Sequence, residues 1–164
     1  MPNVVVSSAG RCTLAAIAAA SLTAACASTR VKPVDERARV EAATHHYASL
    51  LRGAPIDSIA AAYTEHGELV IPGVGTLRGR AGIRDFLAPL SAMVSVASVE
   101  MQIDSIAVTG STATEVGRYV QMAGPKGTPP REFRGSFRAT WQREGDGQWR
   151  LARLVMQPTA AKAP

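Results

Sequence analysis

Cysteine is nearly absent from this chain. Its 164 residues include 2, Cys12 and Cys26, both near the amino terminus. From Ala27 onward there is no disulfide, no thiolate nucleophile and no cysteine-ligated metal. Histidine is almost as scarce. His45 and His46 are adjacent, so on a helix they diverge by about 100° and cannot share a metal. His66 has Glu65 and Glu68 near it in a loop, which is a slight set of ligands; no metal and no cofactor is expected. G-x-S-x-G and H-E-x-x-H are missing, so serine-hydrolase and zincin chemistry have no local support. "GVGTLRG" carries Arg78 where a dinucleotide fingerprint needs its third glycine, and it reads as a turn. No repeat recurs at solenoid periods. Aromatics make up 5% of the chain, so each is a candidate for core or pocket.

The apolar run Leu14–Ala20 is too short to span a bilayer, and it follows Arg11 as a signal h-region follows its cation. The run ends in Leu22-Thr23-Ala24-Ala25-Cys26, which resembles a bacterial lipoprotein box. The usual leucine stands three places before the cysteine; here Thr23 is there and Leu22 is one place earlier. The resemblance implies lipidation of Cys26 and an anchor at a membrane surface. Ordinary cleavage after an alanine would instead release a soluble periplasmic or secreted protein. The expected organisation is a signal peptide over 1–25, a tether over 26–35, a folded domain over 36–158 and a disordered tail over 159–164.

Net charge is +5. Arg11 is the one cation before Cys26, so a mature chain would keep nearly all of it. From Arg118 onward 9 basic residues face Glu132, Glu144 and Asp146. They are spread singly along strands and form no run. This pattern fits a solvated basic face, or one toward anionic lipid, and no nucleic-acid partner is expected.

Val40, Thr44, Tyr47 and Leu51 recur at helical spacing, and Gly53 and Pro55 end that helix. Asp57 is placed to cap a short helix over Ser58–Tyr63. "GELVIPGVGTLRG" predicts two short strands turning at Pro72 and Gly73. Arg80–Leu90 predicts a third helix with Ile83, Phe86, Leu87 and Leu90 as its apolar stripe. Four strands follow. Ala97, Val99, Met101 and Ile103 alternate with polar residues, and Thr112–Met122 continues after a turn at Gly110. Phe133, Phe137, Ala139 and Trp141 share one parity. After the "EGDGQ" turn, Trp149, Leu151, Arg153 and Val155 alternate with Arg150, Ala152, Leu154 and Met156. That last strand is apolar on both faces near its end, which suggests a central place in the sheet.

The order helix, helix, hairpin, helix and four strands is carried by "YASLLRGAPIDSIAAAYTEHGELVIPGVGTLRGRAGIRDFLAPL", "ATEVGRYVQM" and "GSFRATWQREGDGQWRLARLVMQP". These segments resemble the SnoaL-like, DUF4440 branch of the NTF2-like superfamily. The resemblance implies an α+β cone: a curved, mostly antiparallel sheet packed against two or three N-terminal helices, enclosing one pocket. Relatives often dimerise through the sheet. In ketosteroid isomerase relatives the pocket holds a tyrosine donor, an aspartate base before a proline, and a second acid deep on the sheet. Tyr47 falls at the donor position. Ile71, before Pro72, falls at the base position and cannot take a proton. Phe137–Thr140 has no carboxylate. Steroid isomerisation is therefore not expected.

Glu115 is the acid of most interest. Ala113, Glu115, Gly117 and Tyr119 share one strand face. If that face lines the cone, Glu115 is a buried carboxylate suited to act as a base. The other parity, Val116, Val120 and Met122, looks more like core, and would turn Glu115 outward toward Arg134 or Arg138. Tyr47 has two readings as well: a core tyrosine, or a donor to a ligand oxygen. The expected pocket wall is Tyr47, Met101, Tyr119, Phe137 and Trp141, with Glu115 as its polar point. The first functional expectation is a lipid-anchored domain binding a small hydrophobic or amphipathic molecule. The alternatives are a cofactor-free isomerase or cyclase using Glu115 and Tyr47, and an envelope interaction module with a filled pocket.

Overall fold

Asp35 caps the first helix. In the computed structural model, which describes residues 35–159, its carboxylate accepts the Ala38 N–H at 3.2 Å. Helix α1 (Glu36–Leu50) follows and buries Val40, Thr44, Tyr47 and Ala48. Helix α2 (Ile56–Ala61) starts after Pro55, and no side chain caps it. The expected cap at Asp57 and the expected span Ser58–Tyr63 are both corrected: Asp57 is within the helix and Tyr63 opens β1 (Tyr63–Ile71). Strand β2 (Gly75–Arg78) leads into α3 (Gly79–Met93), then β3 (Val94–Thr109), β4 (Thr112–Pro125), β5 (Arg131–Arg143) and β6 (Trp149–Pro158). The expected signal peptide, the expected lipidation site Cys26 and most of the expected tail lie outside the described residues. No helix among those described is long and apolar enough to cross a membrane.

The six strands form one curved sheet in the order β2-β1-β6-β5-β4-β3. Only β1 and β6 pair in parallel; the other four neighbours are antiparallel. Strand β6 sits between β1 and β5. The helices pack on the inner face, α1 against β3 and β6 and α3 against β1 and β2.

Simple alternation breaks at the bulges. An extra residue flips which side chains face inward and bends the strand. In β3 the register shifts between Val96 and Ser98 and again between Ile103 and Ser105. Ala97 is consequently exposed, while Met101 and Ile106 are buried. In β6, Trp141 pairs with Leu151 and Thr140 with Arg153, leaving Ala152 extra. Trp149 and Leu151 face the core, and after the shift Leu154 takes over while Arg153 is exposed. The expected Trp149–Leu151–Arg153–Val155 face is therefore split.

The core runs from Val40 and Ile83 through Tyr63, Phe137, Trp141, Leu151 and Leu154, all 2% exposed or less. Each such side chain contributes about 1.5–3 kcal/mol by leaving water. Two glycines allow the closest packing. A Cβ on Gly117 would stand 2.6 Å from the Phe137 ring, and one on Gly135 would stand 2.8 Å from the Tyr119 ring. Aromatic rings thus pack close to the β4 and β5 backbones where no side chain competes.

Candidate ligand cavity and the closed end

The C-terminal ends of β1, β4 and β6 meet the N-terminal ends of β3 and β5 at one end of the cone. There the helices and sheet part to leave a cavity of about 1690 Å³. Its inner wall includes Leu51, Ile59, Leu69, Leu87, Val99 and Met101. The hairpin places Ile71 on this wall, and the α3 stripe adds Phe86 and Leu90. Tyr47 and Tyr119 line it and are each 5% exposed. Its lining carboxylate, Glu132, is on an exposed stretch of β5 and is paired with Arg134.

The Tyr47 hydroxyl lies 2.8 Å from that of Tyr63, with the rings edge to face at 5.8 Å. Burial pushes the Tyr47 phenol up to about 12 and Tyr63 well above its ordinary value. Both remain protonated at neutral pH. Of the two, Tyr47 alone touches the cavity. When Tyr63 donates to Tyr47, the Tyr47 O–H is free to meet an occupant.

Three expected wall residues are elsewhere. Glu115, Phe137 and Trp141 do not line the cavity. The Phe137 ring covers Gly117, which lies between Glu115 and Tyr119 along the inward face of β4. Beyond it is the closed end of the cone. Glu115 does face inward and is 0% exposed. The parity judged more core-like is the outer one: Val120 is 36% exposed. No ion pair with Arg134 or Arg138 forms; Arg134 bonds Glu132.

The environment of Glu115 is closed and fully bonded. Thr44 Oγ1 lies 2.9 Å and 2.7 Å from its two oxygens and 3.2 Å from the Val40 carbonyl. Trp141 Nε1–H donates to Oε2 at 2.6 Å. A hydroxyl has one proton. With Glu115 neutral each group has a partner: the carboxyl donates to Thr44 through one oxygen, Thr44 donates to Val40, and Trp141 donates to Oε2. With Glu115 ionised, Thr44 must leave Val40 to reach it. Burial raises the Glu115 pKa; the bonds from Thr44 and Trp141 and the charge of His45 oppose the rise, and Glu41 adds to it. The neutral acid is the form this cluster fits.

Further toward the α1 N-terminus, Glu36 accepts from Trp149 Nε1 at 2.9 Å and from Arg143 at 2.7 Å. These bonds tie the helix to the β5–β6 hairpin and lower the Glu36 pKa. Among the described residues no three His, Cys, Asp or Glu side chains converge as metal ligands do.

Residues 32–155 match the SnoaL-like domain. The chain belongs to the SnoaL-like family. Its architecture is that of the NTF2-like superfamily. A ketosteroid isomerase-like protein from Erwinia carotovora atroseptica is 20% identical, with a TM-score of 0.69 over 78% of this chain and 99% of that one. ActVI-ORFA from Streptomyces coelicolor is 17% identical, with a TM-score of 0.66 over 77% and 98% of the two chains. An NTF2-like protein with a cystatin-like fold from Novosphingobium aromaticivorans is 22% identical, at 0.61 over 77% and 84%. These likenesses concern the fold. No curated protein matches.

Sequence reasoning missed Tyr63, which it placed on a helix, and the mouth residues Arg52, Lys126 and Arg131. Arg52 follows the end of α1, Lys126 is within the "GPKGTPP" loop and Arg131 follows it, so a shared position was not visible from spacing. Thr44 was legible as an inward residue of α1, but not as the partner of an acid 71 positions away.

Proposed function

We propose that this SnoaL-like domain is an exported, lipid-anchored binding module. Its cavity takes a small hydrophobic or amphipathic molecule, with Tyr47 as the polar contact on the inner wall. One observation carries the reading: the cavity is wide and apolar, and the lining holds no acid free to serve as a base. Ile71 occupies the wall where the isomerase resemblance implies an aspartate, Glu132 is engaged by Arg134 at the mouth, and Glu115 is behind Phe137. A general base must reach the proton it removes, within about 2.6–3.2 Å or through one water. The anchor rests on the Leu22–Cys26 sequence.

The test is direct. N-phenylnaphthylamine, a neutral dye that brightens in apolar sites, should bind saturably to the full chain. Leu87→Trp, which fills the wall, should weaken it. Absence of binding would overturn the cavity reading. Fatty-acid labelling in a bacterial host should mark the protein and be lost in Cys26→Ser; label that survives the substitution would sink the anchor. An enzymatic reading would move to the first place if Glu115→Gln abolished turnover of any ligand found in the native protein.

A further inference from the structure

Carboxylates partner most of the described cations. Arg39, Arg78, Arg80, Arg84, Arg118, Arg134, Arg143, Arg150 and Arg153 each lie within 4.0 Å of one. Five cations do not. Arg37 donates to the Ile106 carbonyl at 3.2 Å, and Arg138 is exposed on the outer face of β5. The remaining three, Arg52, Lys126 and Arg131, all line the cavity.

Three separate parts of the chain bring them there. Arg52 follows the end of α1, Lys126 is in the β4–β5 loop, and Arg131 opens β5. The loop is held in place, because the Lys126 backbone N–H donates to the Met93 carbonyl at the end of α3 at 2.8 Å. All three side chains are exposed at the mouth, and the inner wall behind them is apolar. Glu132 and Arg134 offset each other. The mouth therefore keeps the charge of three cations beside a low-dielectric wall, which concentrates their field on the opening. Cations spread around an apolar opening match a molecule with an apolar body and an anionic end.

We propose that the occupant is a free amphiphile with one anionic head, such as a carboxylate, whose head is held by Arg52, Lys126 and Arg131 while its body lies against the inner wall. This rests on the cavity reading above and names its ligand class. The bonds are to water-exposed cations, so each contributes modestly and the set sets preference more than raw affinity.

A matched pair of dyes separates the two claims. N-phenylnaphthylamine and anilinonaphthalenesulfonate share their rings and differ by the sulfonate. The full chain should bind the sulfonate about tenfold more tightly at low salt, the sum of three weak charge contacts, and added salt should close the gap. The combined variant Arg52→Gln/Lys126→Gln/Arg131→Gln should equalise the dyes, by weakening the sulfonate about tenfold. Arg138→Gln should change neither. Dodecanoate should displace the neutral dye better than dodecanol does. Equal binding of the two dyes by the unmodified chain would overturn the anionic head and leave the cavity reading standing. Failure of both dyes to bind would overturn both. If the three cations instead drive sedimentation with phosphatidylglycerol vesicles, with no preference for dodecanoate over dodecanol, they serve a lipid surface and the proposal falls.

Discussion

The two ends of the cone are built on opposite terms. At the closed end a carboxyl with no exposure is enclosed by Thr44 and Trp141, and every oxygen has a partner. At the open end the wall is apolar, the space is unfilled, and three cations stand at the mouth without carboxylate partners. The first arrangement suits a fixed structure, because a buried polar group that loses its partner costs more than the bond itself contributed. The second suits an occupant, because an apolar wall gains by being covered and the mouth cations have no carboxylate of their own. Glu115, 0% exposed, is at the closed end and does not line the cavity.

The largest effect should come from breaking the closed end. Trp141→Ala removes a side chain 2% exposed and the donor to Glu115. Truncating a buried tryptophan costs about 3–5 kcal/mol, and urea unfolding should show a loss in that range. A loss below about 1 kcal/mol, the scale of a single net hydrogen bond, would mean the cluster does not hold α1 to the sheet.

Next comes the open end. Leu87→Trp should cut binding of the neutral dye about tenfold or more while changing unfolding little, because it fills space that no side chain uses. The same substitution at a packed site costs about 1–3 kcal/mol of stability. A large destabilisation without loss of dye would show that the two ends differ less than described.

A smaller effect concerns pH. The Glu115 carboxyl is raised in the folded state from 4.5. Between the unfolded and the raised folded value, the folded protein binds more protons than the unfolded one. Its contribution is thus full at pH below the unfolded value and is lost as pH rises through the folded value. Glu115→Gln mimics the neutral acid, with an N–H to give Thr44 and an oxygen to accept from Trp141. Stability of the variant relative to the parent should rise with pH across that window. A flat difference would show that Glu115 is not the neutral form.

The smallest effect is expected at the exposed "EGDGQ" turn. The Arg150 side chain, with help from the Gln148 N–H, lowers the Asp146 carboxyl to about 2 from 3.8. This contribution is present above the unfolded value and is lost as pH falls through the folded one, the reverse of Glu115. Asp146→Asn should therefore flatten only the acid limb of the stability profile, slightly. A clear change at neutral pH in binding of either dye would contradict the separation of this turn from the open end.

Much of the fold could be read before any coordinates. The helical spacing of Val40, Thr44 and Tyr47, the α3 stripe through Ile83 and the alternation in β4 and β5 each reflect a local period set by backbone geometry. The cavity wall was partly legible for the same reason: Tyr47, Met101 and Tyr119 were expected on it and line it. Ala97 and Arg153 were misplaced because bulges shift the period, and a bulge depends on pairing with a neighbouring strand. Tyr63 was misplaced because it stands four residues after Ile59 and continues the helical spacing, whereas its pairing with Leu151 opens β1.

The order of elements, the inward periods of the helices and the lack of an acid at position 71 were determined by the sequence itself, because each depends on near neighbours or on residue type alone. Only the tertiary structure decided that Phe137 comes between Glu115 and the cavity, that Thr44 and Trp141 close around that acid, and that Arg52, Lys126 and Arg131 share one mouth. These are meetings of residues tens of positions apart. They depend on how far each strand is shifted and bent, and a linear pattern does not carry that information.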